Sequence, residues 1–175
     1  MAVAWLSFAC VVFWLLRSLA TLLHELGHAI PALLLTSKEV ELQVGRTNLR
    51  RKDESGQLSI EDDNEVMSWC KWGRLRWSYS FPSGFEGFTG YDRESLGKWA
   101  LLLVIAGGPI VSGLASGFGV WLTVEVLGET WERVSALAFI CANFNLFLRS
   151  IVPLTLENGK PSDGLDFWKS LRQSR

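Results

Sequence analysis

The chain has 175 residues, room for one domain, and a formal net charge of −1 that provides no basic face for nucleic acid. Hydrophobic residues make up 49% of it and Trp occurs nine times, against 20% charged residues. With a mean hydropathy of +0.20, that balance is high for an ordinary soluble fold yet moderate for a chain buried in lipid throughout, and it implies a mixture. Three cysteines without C-x-x-C spacing, Cys10, Cys70 and Cys141, exclude a disulfide framework and a cysteine-rich zinc site, so free thiols are expected.

Residues 2–35 read as one long helix. At 1.5 Å per residue it would measure about 51 Å, against about 30 Å for a bilayer core, so it has to tilt, kink or protrude. Pro31, whose ring opposes the carbonyl of Gly27, supplies a cause for a kink. The run has no basic start and continues past Arg17, which reads as retained helix rather than a cleaved signal.

Inside this helix lie the only two histidines, as His24-Glu25-Leu26-Gly27-His28. Positions i and i+4 share one helix face about 6 Å apart along the axis. Two neutral imidazoles there can hold one Zn²⁺, with Glu25 placed to take a proton from water. The competing account is a pair of histidines satisfied by interhelical hydrogen bonds; the cost of ionisable groups in an apolar span favours function. Arg17, Thr21, His24 and His28 form one stripe, so Arg17 is expected to face the same interior. It would there meet a carboxylate such as Glu125 or a substrate carbonyl, unless it snorkels to a headgroup.

Residues 36–97 are polar. Val40, Leu42 and Val44 alternate with polar residues, and so do Leu75, Trp77, Tyr79 and Phe81, the signature of half-buried strands. The charge-rich stretch 50–65 reads as a loop or hairpin tip. A small antiparallel sheet against the membrane surface is predicted, with Trp69, Trp72, Trp77 and residues 81–88 at the boundary between water and lipid.

Residues 98–127 and 134–152 form the second and third apolar blocks, with Trp99 and Trp131 near their ends as interfacial anchors. Gly113-x-x-x-Gly117 is spaced for close helix contact, and packing also accounts for Gly119. Gly107-Gly108-Pro109 either frees backbone groups beside a site or simply kinks the helix. Asn143 and Asn145 place amides in the third span, as donors to an oxyanion or substrate strand, or as interhelical glue. After a turn-rich link, residues 162–175 read as a short amphipathic helix at the surface. Basic residues near the span ends, among them Lys38, Arg46, Lys98, Arg149 and Arg175, put the polar segment and the tail in the cytoplasm by the positive-inside rule.

A catalytic zinc site usually has three protein ligands and an open position. With no further histidine, the third ligand has to be acidic and near the cytoplasmic helix ends. Asp163 in Ser162-Asp163-Gly164 leads, with Asp166, Asp92 and Glu157 behind it; the other reading of Asp163 is a helix N-cap.

Taken together, these elements resemble the site-2 protease family of membrane-embedded zinc metalloproteases. The marks are the HExxH at His24 to His28, the GGP element at Gly107-Gly108-Pro109, and Asn145, Pro153 and Asp163-Gly164 in the usual order. Seven residues separate Asn145 from Pro153 and nine separate Pro153 from Asp163, a wider spacing than is usual in the family. The resemblance implies a Zn²⁺ held by His24, His28 and Asp163, Glu25 as catalytic glutamate, Asn145 as the family's asparagine, and cleavage of transmembrane segments of other proteins. Its partners would be a transmembrane protein substrate and the lipid bilayer; neither the substrate nor a regulatory membrane partner is named by it. The sheet edge could receive an unwound substrate by strand addition, or be purely structural. The expected fold is a mainly α membrane protein in one domain, 1–175: a three-transmembrane-helix core, a small antiparallel β element between helices 1 and 2, and a short C-terminal amphipathic helix. The expected location is the cell (inner) membrane. A catalytically silent zinc-binding scaffold and a metal-free membrane adaptor are the rival readings.

Overall fold

The structure is a computed structural model that describes residues 2–45, 69–79, 86–156 and 159–173. Among the described residues, four helices and four strands follow in the order α1 (Ala2–Leu35), β1 (Val40–Val44), β2 (Cys70–Trp72), β3 (Leu75–Tyr79), β4 (Gly87–Gly90), α2 (Lys98–Glu125), α3 (Thr130–Ile151) and α4 (Asp163–Arg172). The first three helices are long and apolar enough to cross a membrane. Each of them packs on the other two. Large apolar side chains such as Val3, Leu6, Leu114 and Val124 nevertheless stay exposed on their outer faces, an arrangement that water penalises and lipid accepts.

α1 continues through Pro31, which lies in its last turns. α3 starts earlier than the apolar pattern predicts, because Glu129 and Glu132 form a capping box that draws the polar turn into the helix. α4 begins at Asp163 because Ser162 is its N-cap, the Oγ accepting from Leu165 N at 3.3 Å. The first-turn acids and last-turn bases of this helix complement its dipole.

The sheet departs from expectation. Its order is β2-β3-β1-β4, and although β2–β3 and β1–β4 are antiparallel, β1 and β3 run parallel. The physical reason is the long connection after Val44: a dozen or more residues permit a crossover, and the β2–β3 hairpin returns through Gly73 (φ 60°) so that β3 enters in the direction of β1. β2 and β4 carry no alternation long enough to be read from sequence. The stretch 50–65, Phe81, Glu157, Arg46 and Arg175 lie outside the described residues.

The tightest apolar core sits where the helix ends meet the sheet. Ala29 and Ala32 of α1, Val40, Leu42 and Val44 of β1, and Leu101, Val104 and Ile105 of α2 are all buried there. Arg74, next to the β2–β3 turn, donates to the carbonyls of Leu33 (2.8 Å) and Thr36, satisfying acceptors that the end of α1 leaves open. The sheet is thereby tied to the helix that carries the histidines. Trp72 beside this turn is 82% exposed, and Trp99 and Trp131 also face outward.

Candidate metal centre

His24 and His28 occupy one face of α1, with ring centroids 4.9 Å apart. Both are almost fully buried, at 6% and 7% exposure, and Glu25 is at 8%. The burial has a specific origin in the crossing of α1 and α2. A Cβ on Gly27 would lie 2.5 Å from the Gly107 carbonyl oxygen, and one on Gly107 would lie 2.0 Å from the Gly27 oxygen. Only two glycines allow the backbones this close. A Cβ on Gly108 would stand 2.2 Å from His28 Nε2, so that glycine leaves the ring its room. The close crossing therefore falls at Gly27 and Gly107. Gly113 makes ordinary contact with Phe147, Gly119 is crowded by Ile140, and Gly117 faces open space.

Hydrogen bonds orient both rings. His28 Nδ1 lies 2.8 Å from the Val104 carbonyl oxygen; since a carbonyl only accepts, that nitrogen carries the proton. His24 Nδ1 is 2.9 Å from Ser112 Oγ, one helical turn beyond Gly108. The Nε2 atoms then face inward 3.3 Å apart; the Val104 carbonyl fixes the tautomer of His28, whereas the Ser112 hydroxyl can donate to His24 Nδ1 or accept from it.

Asp163 meets them from α4. Its Oδ2 lies 3.1 Å from His24 Nε2 and 3.6 Å from His28 Nε2. The link from α3 is long in sequence but folds back on itself through a bridge between Thr155 and Pro161 and a bond from Leu156 N to Lys160 O. Ser162 secures the return: its Oγ donates to Val152 O at 2.7 Å and accepts from Leu154 N at 3.0 Å. Gly164 rests on the end of α3, where a Cβ would come within 2.1 Å of the Ile151 oxygen. One turn on, Asp166 takes both guanidinium nitrogens of Arg93 at 2.7 and 2.9 Å. Sequence reasoning missed Arg93; its signal was only a basic residue in the connector ahead of α2.

His24, His28 and Asp163 thus form a group that can hold a metal ion, their ligand atoms all within 4.8 Å of one another. Burial works against the Asp163 carboxylate, yet hydrogen bonding to the His24 and His28 rings outweighs it and holds the group below the usual carboxylate range. Three acceptor atoms converging at such distances repel unless a cation, proton or metal, lies among them. The other acidic candidates are engaged elsewhere: Asp166 by Arg93, and Asp92 by Lys38, whose ammonium holds the Asp92 carboxyl low.

Glu25 lines the same cavity, which measures about 390 Å³. Thr89 Oγ1 donates to Glu25 Oε2 at 2.6 Å, and Gly87 leaves space for Oε1, where a Cβ would approach to 2.3 Å. Both residues belong to β4, the edge strand that forms the cavity's opposite wall. Among the remaining predicted site residues, Arg17 and Asn145 line a neighbouring crevice together with Thr21. Asn143 is fully buried, its Nδ2 donating to Phe139 O and its Oδ1 without a partner among the described residues. Pro109 continues α2 as a buried residue just past the glycines. No protein-family model, curated protein or solved structure matches the chain.

Proposed function

We propose that this protein is an intramembrane zinc endopeptidase that hydrolyses peptide bonds in or near transmembrane segments of membrane-protein substrates. The observation that carries the reading is the spacing of the three inward atoms, 3.1, 3.3 and 3.6 Å. Ligand atoms about 2.0–2.1 Å from a tetrahedral centre stand about 3.3–3.4 Å apart, the geometry zinc adopts with histidine and carboxylate. Two histidines and one carboxylate also leave the fourth position open, as hydrolytic zinc sites require. Together with the HExxH, GGP and DG elements, this supports the resemblance to the site-2 protease family.

In this reading His24, His28 and Asp163 hold the zinc ion, which supplies Lewis acidity toward a carbonyl oxygen and makes nearby water easier to deprotonate. Glu25 accepts a proton from water as the water oxygen adds to the peptide carbonyl carbon. It returns that proton to the amine nitrogen as the C–N bond breaks. Thr89 holds one carboxylate oxygen throughout and so keeps the base aimed into the cavity. Extended substrate pairs with the outer edge of β4, since a helix hides the backbone that hydrolysis has to reach. The polar segment and α4 lie on the cytoplasmic side of the cell membrane.

The test is Glu25→Gln in the purified, zinc-loaded protein with transmembrane peptides. Cleavage is expected to disappear while one zinc per chain is retained. Cleavage that survives removes Glu25 from the mechanism, and metal without any cleavage in the unmodified protein leaves a zinc-binding scaffold.

A further inference from the structure

The cavity holding His24, Glu25, His28 and Asp163 shares three wall residues, Thr21, Leu146 and Arg149, with a narrower crevice between α1 and α3. The crevice, with a free volume of about 10 Å³, has room for a single oxygen-sized group. Its polar lining comes from Arg17, Thr21, Asn145 and Arg149, side chains rich in hydrogen-bond donors.

The basic groups around the larger cavity differ in what holds them. Arg93 is engaged in both arms by Asp166, and the Lys160 ammonium lies 4.9 Å over the Phe88 ring. Arg149, exposed in the last turn of α3, makes no hydrogen bond or ion pair with a described residue. A helix dipole favours a cation in that turn. It does not select the position at which the two cavities meet, and the hydrolytic steps make no use of this residue. A guanidinium presents a planar fork that fits a carboxylate with two parallel bonds.

We infer that Arg149 is a specificity-determining residue that binds the carboxylate of a substrate Asp or Glu flanking the cleaved bond on the α1–α3 side. Asn145 lines the crevice beside it and offers an amide to the same group. The inference rests on the proteolytic reading of the site. A substrate carboxylate is favoured over a lipid phosphate because Arg149 forms part of the wall of the reaction cavity itself.

The experiment uses zinc-loaded protein in two sets of nanodiscs, phosphatidylcholine alone and phosphatidylcholine with phosphatidylserine, and internally quenched transmembrane peptides. One Asp is scanned through the stretch around the cleaved bond, and each peptide has an Asn and a Lys counterpart. The unmodified protein is expected to favour Asp over Asn at one or two neighbouring positions on the order of tenfold, the size of one charge-assisted hydrogen bond, chiefly in KM. Arg149→Gln is expected to erase that difference, and Arg149→Glu to turn the preference toward Lys at the same positions. Equal losses on Asp and Asn peptides overturn the inference, as does a preference that survives in Arg149→Gln. A defect in Arg149→Gln seen only when anionic lipid is present in the discs assigns the residue to a headgroup and overturns it equally. Should no peptide be cut, the proteolytic reading fails by itself. Anisotropy of labelled Asp and Asn peptides on zinc-loaded Glu25→Gln protein, with and without Arg149→Gln, then decides the inference by the same comparison.

Discussion

At the scale of single residues, the centre depends on side chains that are missing as much as on those that are present. Gly108 has no role in bonding, yet a methyl group there would fall 2.2 Å from His28 Nε2. Gly108→Ala is therefore expected to lower bound zinc at least tenfold, with helix content by circular dichroism unchanged; full metal content would show that α2 simply backs away. Gly107→Ala is the harsher change, because the obstructing atom is a backbone oxygen that cannot rotate aside. Overpacking of that kind costs about 1–3 kcal/mol, and a lower melting temperature should accompany the metal loss. The HELGH spacing made His24, Glu25 and His28 legible in the sequence, since a helix repeat alone aligns them. The partners of the two Nδ1 atoms, Val104 O and Ser112 Oγ, belong to another helix and left no local pattern.

At the scale of elements, the third member of the candidate metal group is set by how α4 docks. Asp163 sits at the start of a helix of 10 residues held by Ser162 against α3 and by the Arg93–Asp166 pair against the connector before α2. Arg93→Ala is expected to weaken zinc affinity by up to about tenfold, less than loss of a direct partner of a ligand, because Arg93 bonds Asp166 and acts only through the docking of α4. Asp166→Asn should act alike, and the double variant should be no worse than either single one, because both break one interaction. Isothermal titration with a competing chelator reads all three; additive losses would mean that Arg93 and Asp166 act separately. The alternation of Val40, Leu42 and Val44 was visible because their face is buried. The parallel pairing of β1 with β3 was not, since strand direction follows from a crossover rather than from any periodicity. The short edge strand β4, with glycine at both ends, has no alternation to read, although it supplies Thr89 to Glu25.

At the scale of the whole molecule, the three apolar helices and the outward-facing side chains along them predict a protein that stays in the membrane fraction after alkaline carbonate extraction; release into the supernatant would contradict the three spans. In the proposed zinc site, metal and stability are linked as well. A ligand that binds only the folded state raises the melting temperature, so removing zinc with a chelator is expected to lower it measurably in detergent. The sign with pH follows from the donors. A protonated imidazole cannot ligate, so zinc affinity and the difference in melting temperature between metal-loaded and metal-free protein should both fall as the pH is taken from 8 down to 5. A difference that stays constant across that range would show that the imidazoles are not the ligands.

By itself the sequence determined what short-range physics controls: three apolar runs long enough to span a bilayer, two imidazoles one turn apart with a carboxylate between them, and Ser162-Asp163-Gly164 at the start of the tail helix. Local repeat geometry, transfer of apolar surface and capping chemistry act over a few residues, so the pattern is written in them. Tertiary structure alone decided that Asp163 rather than Asp166 or Asp92 faces the rings, that Gly27 meets Gly107, and that Glu25 rests on an edge strand. Each of these joins positions more than sixty residues apart, and such contacts arise from the packing of whole elements, for which no single stretch of chain carries the information.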